Sequence, residues 1–450
     1  MYLRFSRFFF PILLLALFSW SGSSSVIFAA ALPEFPETEH ALPPTETPAP
    51  AIPLLVENGA TVAFYAAAFL LAILAIYKYR SRRMIFAMTI LSAVLFGFIL
   101  KGCPCPIGSL QNIVAALFLP QYIAPFIVIV LFLLPLFVAL FYGRVFCSCI
   151  CPLGAVQELV AIKPIRIPLW LEHSLGLFRY FYLGLAFVFA GTGLWFILCR
   201  YDPFVSFFRF SGFVSVLLYG GILILIGIFI ARPYCRFLCP YGALLGLCSQ
   251  FSKYNVSVTP GDCTKCRLCE EICPYEAIRK PTLEPTEEER KRGPRRLLNA
   301  ILATPLIIVF FTFLGYNVAM PIAREHWDIR RAELLRAEET GLVPDRGTFR
   351  ETQAFQKTSE PSDSLYKRAA EVFLRIRTAT TLWGAWVGIV ISAKLITLAI
   401  RRKRTDYEVD PARCVACGRC FWYCPNQKEK RILLGEEKIP LSPEYRSRGN

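Results

Sequence analysis

The residues from Cys263 to Pro274, CTKCRLCEEICP, carry the most specific chemistry in the sequence. Their spacing is CxxCxxCxxxCP, and CVACGRCFWYCP repeats it from Cys414 to Pro425. Three thiolates spaced by two residues wrap a cubane iron–sulfur cluster, and a fourth, ahead of proline, leaves for a neighbouring cluster. The pair therefore predicts two 4Fe-4S clusters with exchanged ligands. Cys263, Cys266, Cys269 and Cys424 would hold one; Cys414, Cys417, Cys420 and Cys273 would hold the other. Zinc sites or disulfides do not call for four cysteines in this spacing plus proline, twice in one chain.

A second motif is also duplicated. Arg144 opens RVFCSCICPLGA and Arg232 opens RPYCRFLCPYGA, so RxxCxxxCPxGA occurs twice, with pairs Cys147/Cys151 and Cys235/Cys239. Thiols four apart share one helical face, and the following proline lets the backbone turn where a ligand would sit. Simple packing of apolar cysteines is the alternative, but repetition together with Pro and Gly favours a cofactor site. KGCPCPIGS shares the CPxG core and holds Cys103 and Cys105. With Cys199, these thiols are open to three readings: a metal site, a disulfide, or support for a flavin or quinone pocket. Cys149 and Cys248 lack a partner at motif spacing and read as packing residues.

The elements that must position these thiols are membrane helices. The chain has 450 residues, 55% of them hydrophobic and 18% charged, and its mean hydropathy is +0.48, more apolar surface than a soluble fold hides. Residues 1–31 read as a signal peptide or first anchor and 32–58 as an exported Pro-rich linker. Seven spans are expected: Ala60–Tyr77, Met84–Leu100, Ile123–Tyr142, Phe178–Leu198, Phe213–Ala231, Leu297–Gly315 and Thr381–Ile400. Every end facing the same way as Lys78 is basic, which places that side in the cytoplasm. The domains follow: 59–250 membrane, 251–296 first ferredoxin segment, 297–315 helix, 316–378 exported charged loop, 379–400 helix, and 401–450 second ferredoxin segment and tail. Two crossings separate the ferredoxin segments, so both reach the cytoplasm and can pair. The expected fold is mainly α, a polytopic bundle with a small α+β ferredoxin-like unit in the inner membrane of a bacterial or archaeal cell.

Absences narrow the chemistry. The net charge of +16 goes with the basic inward ends rather than with a nucleic-acid motif. The three histidines, His40, His173 and His326, do not form a haem relay, and no GxxxxGK[ST] or GxGxxG stretch offers a nucleotide cradle. Lys394, inside the last span, is read as snorkelling to the cytoplasmic end.

The two CxxxCP motifs at helix ends, together with two ferredoxin motifs, resemble the family of membrane iron–sulfur proteins that includes NapH, NosR and PceC-type proteins, over roughly residues 144–277. The resemblance implies electron transfer between the quinone pool or cytoplasmic donors and a periplasmic acceptor, as a component of a quinol dehydrogenase or other oxidoreductase complex. Its expected cofactors are the two 4Fe-4S clusters, with a quinone, or a flavin (FMN) carried by a partner, as further candidates. Expected partners are membrane lipid, the quinone pool and redox proteins on both faces. A metal-ion reductase and a redox-sensing or assembly protein are the rival readings.

Overall fold

The computed structural model describes residues 54–100, 106–119, 122–162, 164–193, 198, 202–209, 214–258, 266–282, 287–341, 352–353, 355, 361–400 and 403–425. The signal segment, the linker up to residue 53, Cys103, Cys105, Cys199, Cys263 and the tail after 425 lie outside them.

The described chain is almost wholly helical. Helix α1 (Leu54–Ile73, continued by a π-helical turn, Leu74–Lys78) turns into α2 (Arg82–Ser92, continued as π-helix Ala93–Ile99). The Ser81 side chain accepts from the Met84 N–H at 3.4 Å and caps α2. A helix not expected from sequence, α3 (Pro106–Phe118), starts at the proline of the CPCP motif. Helix α4 (Phe126–Tyr142) ends at Gly143, whose φ of +64° suits glycine. Then come the short α5 (Val145–Cys149) and α6 (Pro152–Val160), the long α7 (Leu169–Gly191), α8 (Pro203–Arg209), α9 (Val214–Phe229), and a second short pair, α10 (Pro233–Phe237) and α11 (Pro240–Gln250). Helix α12 (Leu268–Ile272) and strand β1 (Ile278–Arg279) precede α13 (Glu287–Ala323), α14 (Trp327–Glu339), α15 (Ser362–Ala399), strand β2 (Glu408–Val409) and α16 (Arg419–Tyr423).

Among the described residues five helical stretches are long and apolar enough to cross a membrane: Thr61–Lys78, Arg82–Ile99, Leu169–Gly191, Gly293–Ala323 and Ser362–Ala399. Two of the seven expected spans, α4 with 17 residues and α9 with 16, fall short of the roughly 20 a bilayer needs. The left-handed Gly143 and Arg232 lie just past their ends, where the chain breaks into the CxxxCP turns. The last two spans run far past their expected limits. Helices α13 and α15 have 37 and 38 residues, about 55 Å each against a hydrocarbon core of about 30 Å.

These two helices pack closely, because a Cβ on Gly388 would stand 2.7 Å from Ile308 Cα. The pair is fastened to α7 by indoles: Trp383 Nε1 donates to Phe181 O at 3.0 Å and Trp386 Nε1 to Tyr180 O at 2.8 Å. Beyond the span, α14 packs on the first turns of α15 around Ile329, Leu335, Leu365 and Ile376, a small core of its own inside the charged loop. At the other end of the bundle, β1 pairs antiparallel with β2 in the register Ile278↔Val409, Arg279↔Glu408. Thr282 and Arg404 extend the pairing, Thr282 N donating to Arg404 O at 3.0 Å. The two ferredoxin segments, with two long helices between them in sequence, thus form one unit.

Candidate metal centres

The repeated RxxCxxxCPxGA motif folds the same way twice, just past the ends of α4 and α9. Cys147 lies in α5 and Cys235 in α10; Cys151 caps α6 and Cys239 caps α11, each followed by proline at the first helical position. The motif glycine follows from contact. The Gly242 N–H donates to Cys239 Sγ at 3.2 Å, and the Gly154 N–H bonds Cys151. A Cβ at Gly154 would meet Cys147 O at 2.7 Å, and one at Gly242 would meet Cys235 O at 3.3 Å. The arginines cross over. Arg232 Nη1 donates to Cys147 O beside Gly154, while Arg144 Nη2 lies 3.2 Å from the Cβ position of Gly242. Each repeat therefore completes the other.

The four thiols converge, since every pair among Cys147, Cys151, Cys235 and Cys239 interacts electrostatically. Cys147, Cys235 and Cys239 are buried and Cys151 is partly so. Gln157 Nε2 donates to Cys235 Sγ at 3.3 Å, its Oε1 accepts from Tyr234 N at 3.1 Å, and Arg144 Nη2 is 3.7 Å from Cys147 Sγ. Burial pushes the Cys235 thiol up to about 12 although Arg232 pulls it down; Cys151 and Cys239 are raised by burial and then by their neighbours. Four clustered thiols cannot all ionise without a compensating cation, which a metal centre supplies.

A second set forms in the ferredoxin unit. Every pair among Cys273, Cys414, Cys417 and Cys420 interacts electrostatically, so Cys273 sits with three cysteines of the other motif. Backbone N–H groups already face these sulfurs: Ala277 N to Cys273 and Ala416 N to Cys414, both at 3.4 Å, Arg419 N to Cys417 and Phe421 N to Cys420. Aiming them takes left-handed backbone at Ala416 (φ +53°) and Gly418 (φ +77°), and Arg267 (φ +62°) repeats the Gly418 position in the first motif. Burial raises the Cys414 thiol to about 12. Of the other set, Cys266, Cys269 and Cys424 are described and Cys263 is not. Among the described residues no group of three or more His, Cys, Asp or Glu side chains closes around a single ion. A cubane, with its thiolates at separate corners, fits these two wider sets better than a lone cation does.

Sequence reasoning missed the carboxylate that ties the sets together. Glu158, with a fully buried side chain, meets Arg82 at 2.8 Å, Arg419 at 3.0 Å, Arg232 at 3.1 Å and the Tyr275 hydroxyl at 2.6 Å. Each partner adjoins a thiol set. Arg82 Nη1 donates to Cys417 O at 2.5 Å, Arg232 to Cys147 O, Arg419 lies between Cys417 and Cys420, and Tyr275 follows Cys273 by two. Burial alone would raise the carboxyl; Arg232, Arg419, Arg82 and Tyr275 overcome it and hold it down to about 2. The signal was one acid in the apolar α6, seven residues past Cys151. The second repeat has Gly246 there, and Ala412 O approaches to 3.3 Å from its Cβ position. A second tie runs through Glu172, 2.6 Å from Arg413 and 2.8 Å from Arg236. Cys149 and Cys248 belong to the core or pack against it. His173 lies 3.4 Å from Arg413, and His326 accepts from Asp328 N.

Comparison with known proteins finds 4Fe-4S binding domains at both kinds of motif. The family Fer4_5 matches residues 124–171 and 211–258, which hold the CxxxCP motifs, and the family Fer4 matches 256–279 and 407–427. The chain is 30% identical over 118 residues to YccM of Escherichia coli K12, a protein proposed to transport electrons, covering 24% of this chain and 33% of that one. It is 31% identical over 123 residues to the protein NirI of Paracoccus denitrificans, covering 26% of this chain and 18% of that one. A protein of Methanocaldococcus jannaschii described as uncharacterized, MJ0749, is 30% identical over 73 residues, 16% of this chain and 30% of that one. The chain thus spans a third or less of these relatives. No solved structure matches it. The chain is an iron–sulfur protein in which two kinds of 4Fe-4S binding domain are each matched at two places, with five helical stretches among the described residues long and apolar enough to cross a membrane.

Proposed function

We propose that the chain passes single electrons between a cytoplasmic donor or the quinone pool and an acceptor on the exported side, with three iron–sulfur centres at the cytoplasmic end of its bundle. Cys147, Cys151, Cys235 and Cys239 would hold one; Cys273, Cys414, Cys417 and Cys420 a second; Cys263, Cys266, Cys269 and Cys424 a third. When bound, the clusters supply one-electron redox couples. The observation that carries the reading is the shared wall between the first two sites. Arg144 Nη2 faces Cys147 Sγ while its Nη1 donates to Ala412 O at 3.0 Å, two residues before Cys414. The chain's own residues would then bury the thiolates, aim N–H groups at sulfur and exclude water, which are the levers that set a cluster's potential. YccM, proposed to transport electrons, fits the same reading.

Full-length protein purified anaerobically is expected to carry about twelve iron atoms, four per centre. Cys151→Ala or Cys239→Ala should lower that to about eight, leave the ferredoxin EPR signals in place, and slow reoxidation of pre-reduced clusters by quinone in proteoliposomes by at least about tenfold. Eight iron atoms in wild type and both variants, with unchanged reoxidation, would make the CxxxCP thiols packing residues. The exported half of the route is expected to involve Cys103 and Cys105: Cys103→Ala with Cys105→Ala should slow only electron transfer to an impermeant external acceptor.

A further inference from the structure

A cavity of about 1380 Å³ lies beside the thiol sets, between the inner ends of α7, α11 and α15 and the ferredoxin segment 408–415. Its walls are of two kinds. Leu177, Leu247, Trp386, Ile389 and Val390 give it an apolar side continuous with the spans. Its foot is cationic: ten Lys and Arg residues line it against three carboxylates, Glu172, Glu408 and Asp410. Those carboxylates are already engaged. Glu172 binds Arg413 and Arg236, Asp410 binds Arg279 at 3.1 Å and Arg413 at 3.6 Å, and Glu408 lies 3.7 Å from Arg404.

Five of the ten cations are left over; Arg296 and Lys403 are exposed, and the other three are not. Arg144, Arg179 and Lys394 all line the cavity, and none has a carboxylate within ion-pair distance among the described residues. They also repel. Arg179 feels Arg144 and Arg413; Lys394 feels Arg413 and Arg179. Arg144 is 4% exposed, and its Nε and that of Arg179 are buried without a hydrogen-bond partner in the described structure. Arg179 Nη2 meets only a neutral group, the Tyr180 hydroxyl, at 3.1 Å. Lys394 and Arg179 sit inside helices long and apolar enough to cross a membrane, where an uncompensated charge is costly. Lys394 is half-buried against this cavity, where Arg413, Arg179 and Arg279 repel it and Glu172 attracts it from beyond ion-pair distance.

We propose that the cavity binds the phosphate of an anionic phospholipid, with the headgroup against Arg179, Lys394 and Arg144 and the acyl chains along Trp386, Ile389 and Leu247. A basic pocket between spanning helices on the cytoplasmic side, with an apolar wall above it, matches such a lipid in both parts. The lipid would also fill the gap between the foot of α15 and the ferredoxin unit, and so hold that unit against the bundle.

The test uses the full chain in detergent, followed by native mass spectrometry with added phosphatidylglycerol, phosphatidylcholine or inorganic phosphate. Wild type is expected to retain phosphatidylglycerol and to release phosphatidylcholine. Arg179→Gln with Lys394→Gln should weaken phosphatidylglycerol retention about thirtyfold, the product of two charge contacts, with iron content unchanged. Removing two unpaired charges from spans should not impair folding; if the double variant fails to accumulate, the phosphatidylglycerol preference of wild type decides alone. Equal retention of the two lipids, or of phosphatidylglycerol by wild type and variant, would overturn the proposal. Displacement of the lipid by inorganic phosphate would overturn the lipid as the source and assign the site to free phosphate. A quinone that co-purifies with wild type and is lost from the double variant would overturn the phosphate reading.

Discussion

Glu158→Ala is expected to cost the protein its cluster unit rather than a single contact. The substitution leaves Arg232, 1% exposed, facing no anion, and removes the acceptor shared by Arg82, Arg419 and Tyr275. Removing one partner of a buried ion pair costs about 3–5 kcal/mol, and here three guanidiniums lose theirs at once. Accumulation in the membrane and iron content should both fall sharply. Glu158→Gln separates charge from shape, because the amide still fits and still accepts a hydrogen bond. Iron should be largely retained in that variant. The cluster held beside Cys417, which feels the Glu158 charge, should titrate at a higher potential because the reduced form gains one negative charge. A redox titration followed by EPR reads this, and an unchanged midpoint in a fully loaded Glu158→Gln protein would reduce Glu158 to a structural strut. Acid cannot substitute for the mutation. A carboxyl held down to about 2 stabilises the fold fully above its ordinary value near 4.5 and loses that contribution only as pH falls toward 2, so it stays ionised throughout the neutral range.

How much of this was legible in the sequence depends on how local each feature is. Cysteine spacing is local, and it singled out the two CxxxCP pairs and the exchange of Cys273, but not the convergence of the two pairs on one another. The parity of the spans carried the meeting of the two ferredoxin segments, which the Ile278↔Val409 pairing now places in one unit. Helix limits were less legible. Hydropathy marks the apolar middle of α13 and α15 but is silent on the charged turns that prolong them, and α14 hid its apolar face, Ile329 and Leu335, among arginines and glutamates. Helix α3 was passed over because 13 residues make a weak pattern beside true spans. Glu158 was illegible for another reason: its four partners come from four separate segments of chain, and no window along the sequence contains more than one of them. Lys394 was read as snorkelling from its place in its own helix, whereas α7 and the 408–415 segment also set its surroundings.

Cys273→Ser is expected to damage the cluster of the other motif. Cys273 interacts with Cys414, Cys417 and Cys420, and its sulfur accepts from Ala277 N, one residue before the strand that pairs with β2. The short α12 points the chain this way: it ends at Ile272, and Cys273 is extended with ψ +105°, as Cys424 is with ψ +122° after α16. The proline after each keeps the preceding residue out of helical backbone, so the fourth thiol must leave the turn that holds the first three. Cys424→Ser should accordingly damage the cluster expected at Cys263, Cys266 and Cys269, more than 150 residues away. Serine preserves volume and a hydrogen-bonding oxygen, so the fold is expected to survive while one cluster loses a thiolate and becomes oxidation-prone. The measurement is EPR of the reduced protein, with each cluster's signal identified beforehand by Cys266→Ala and Cys417→Ala. If Cys273→Ser removes the same signal as Cys266→Ala, and Cys424→Ser the same as Cys417→Ala, each motif keeps its own four ligands. Matching to the opposite partner in both cases would mean that the ferredoxin unit forms only when the two segments meet, and that α13 and α15 must be in place before either cluster can close.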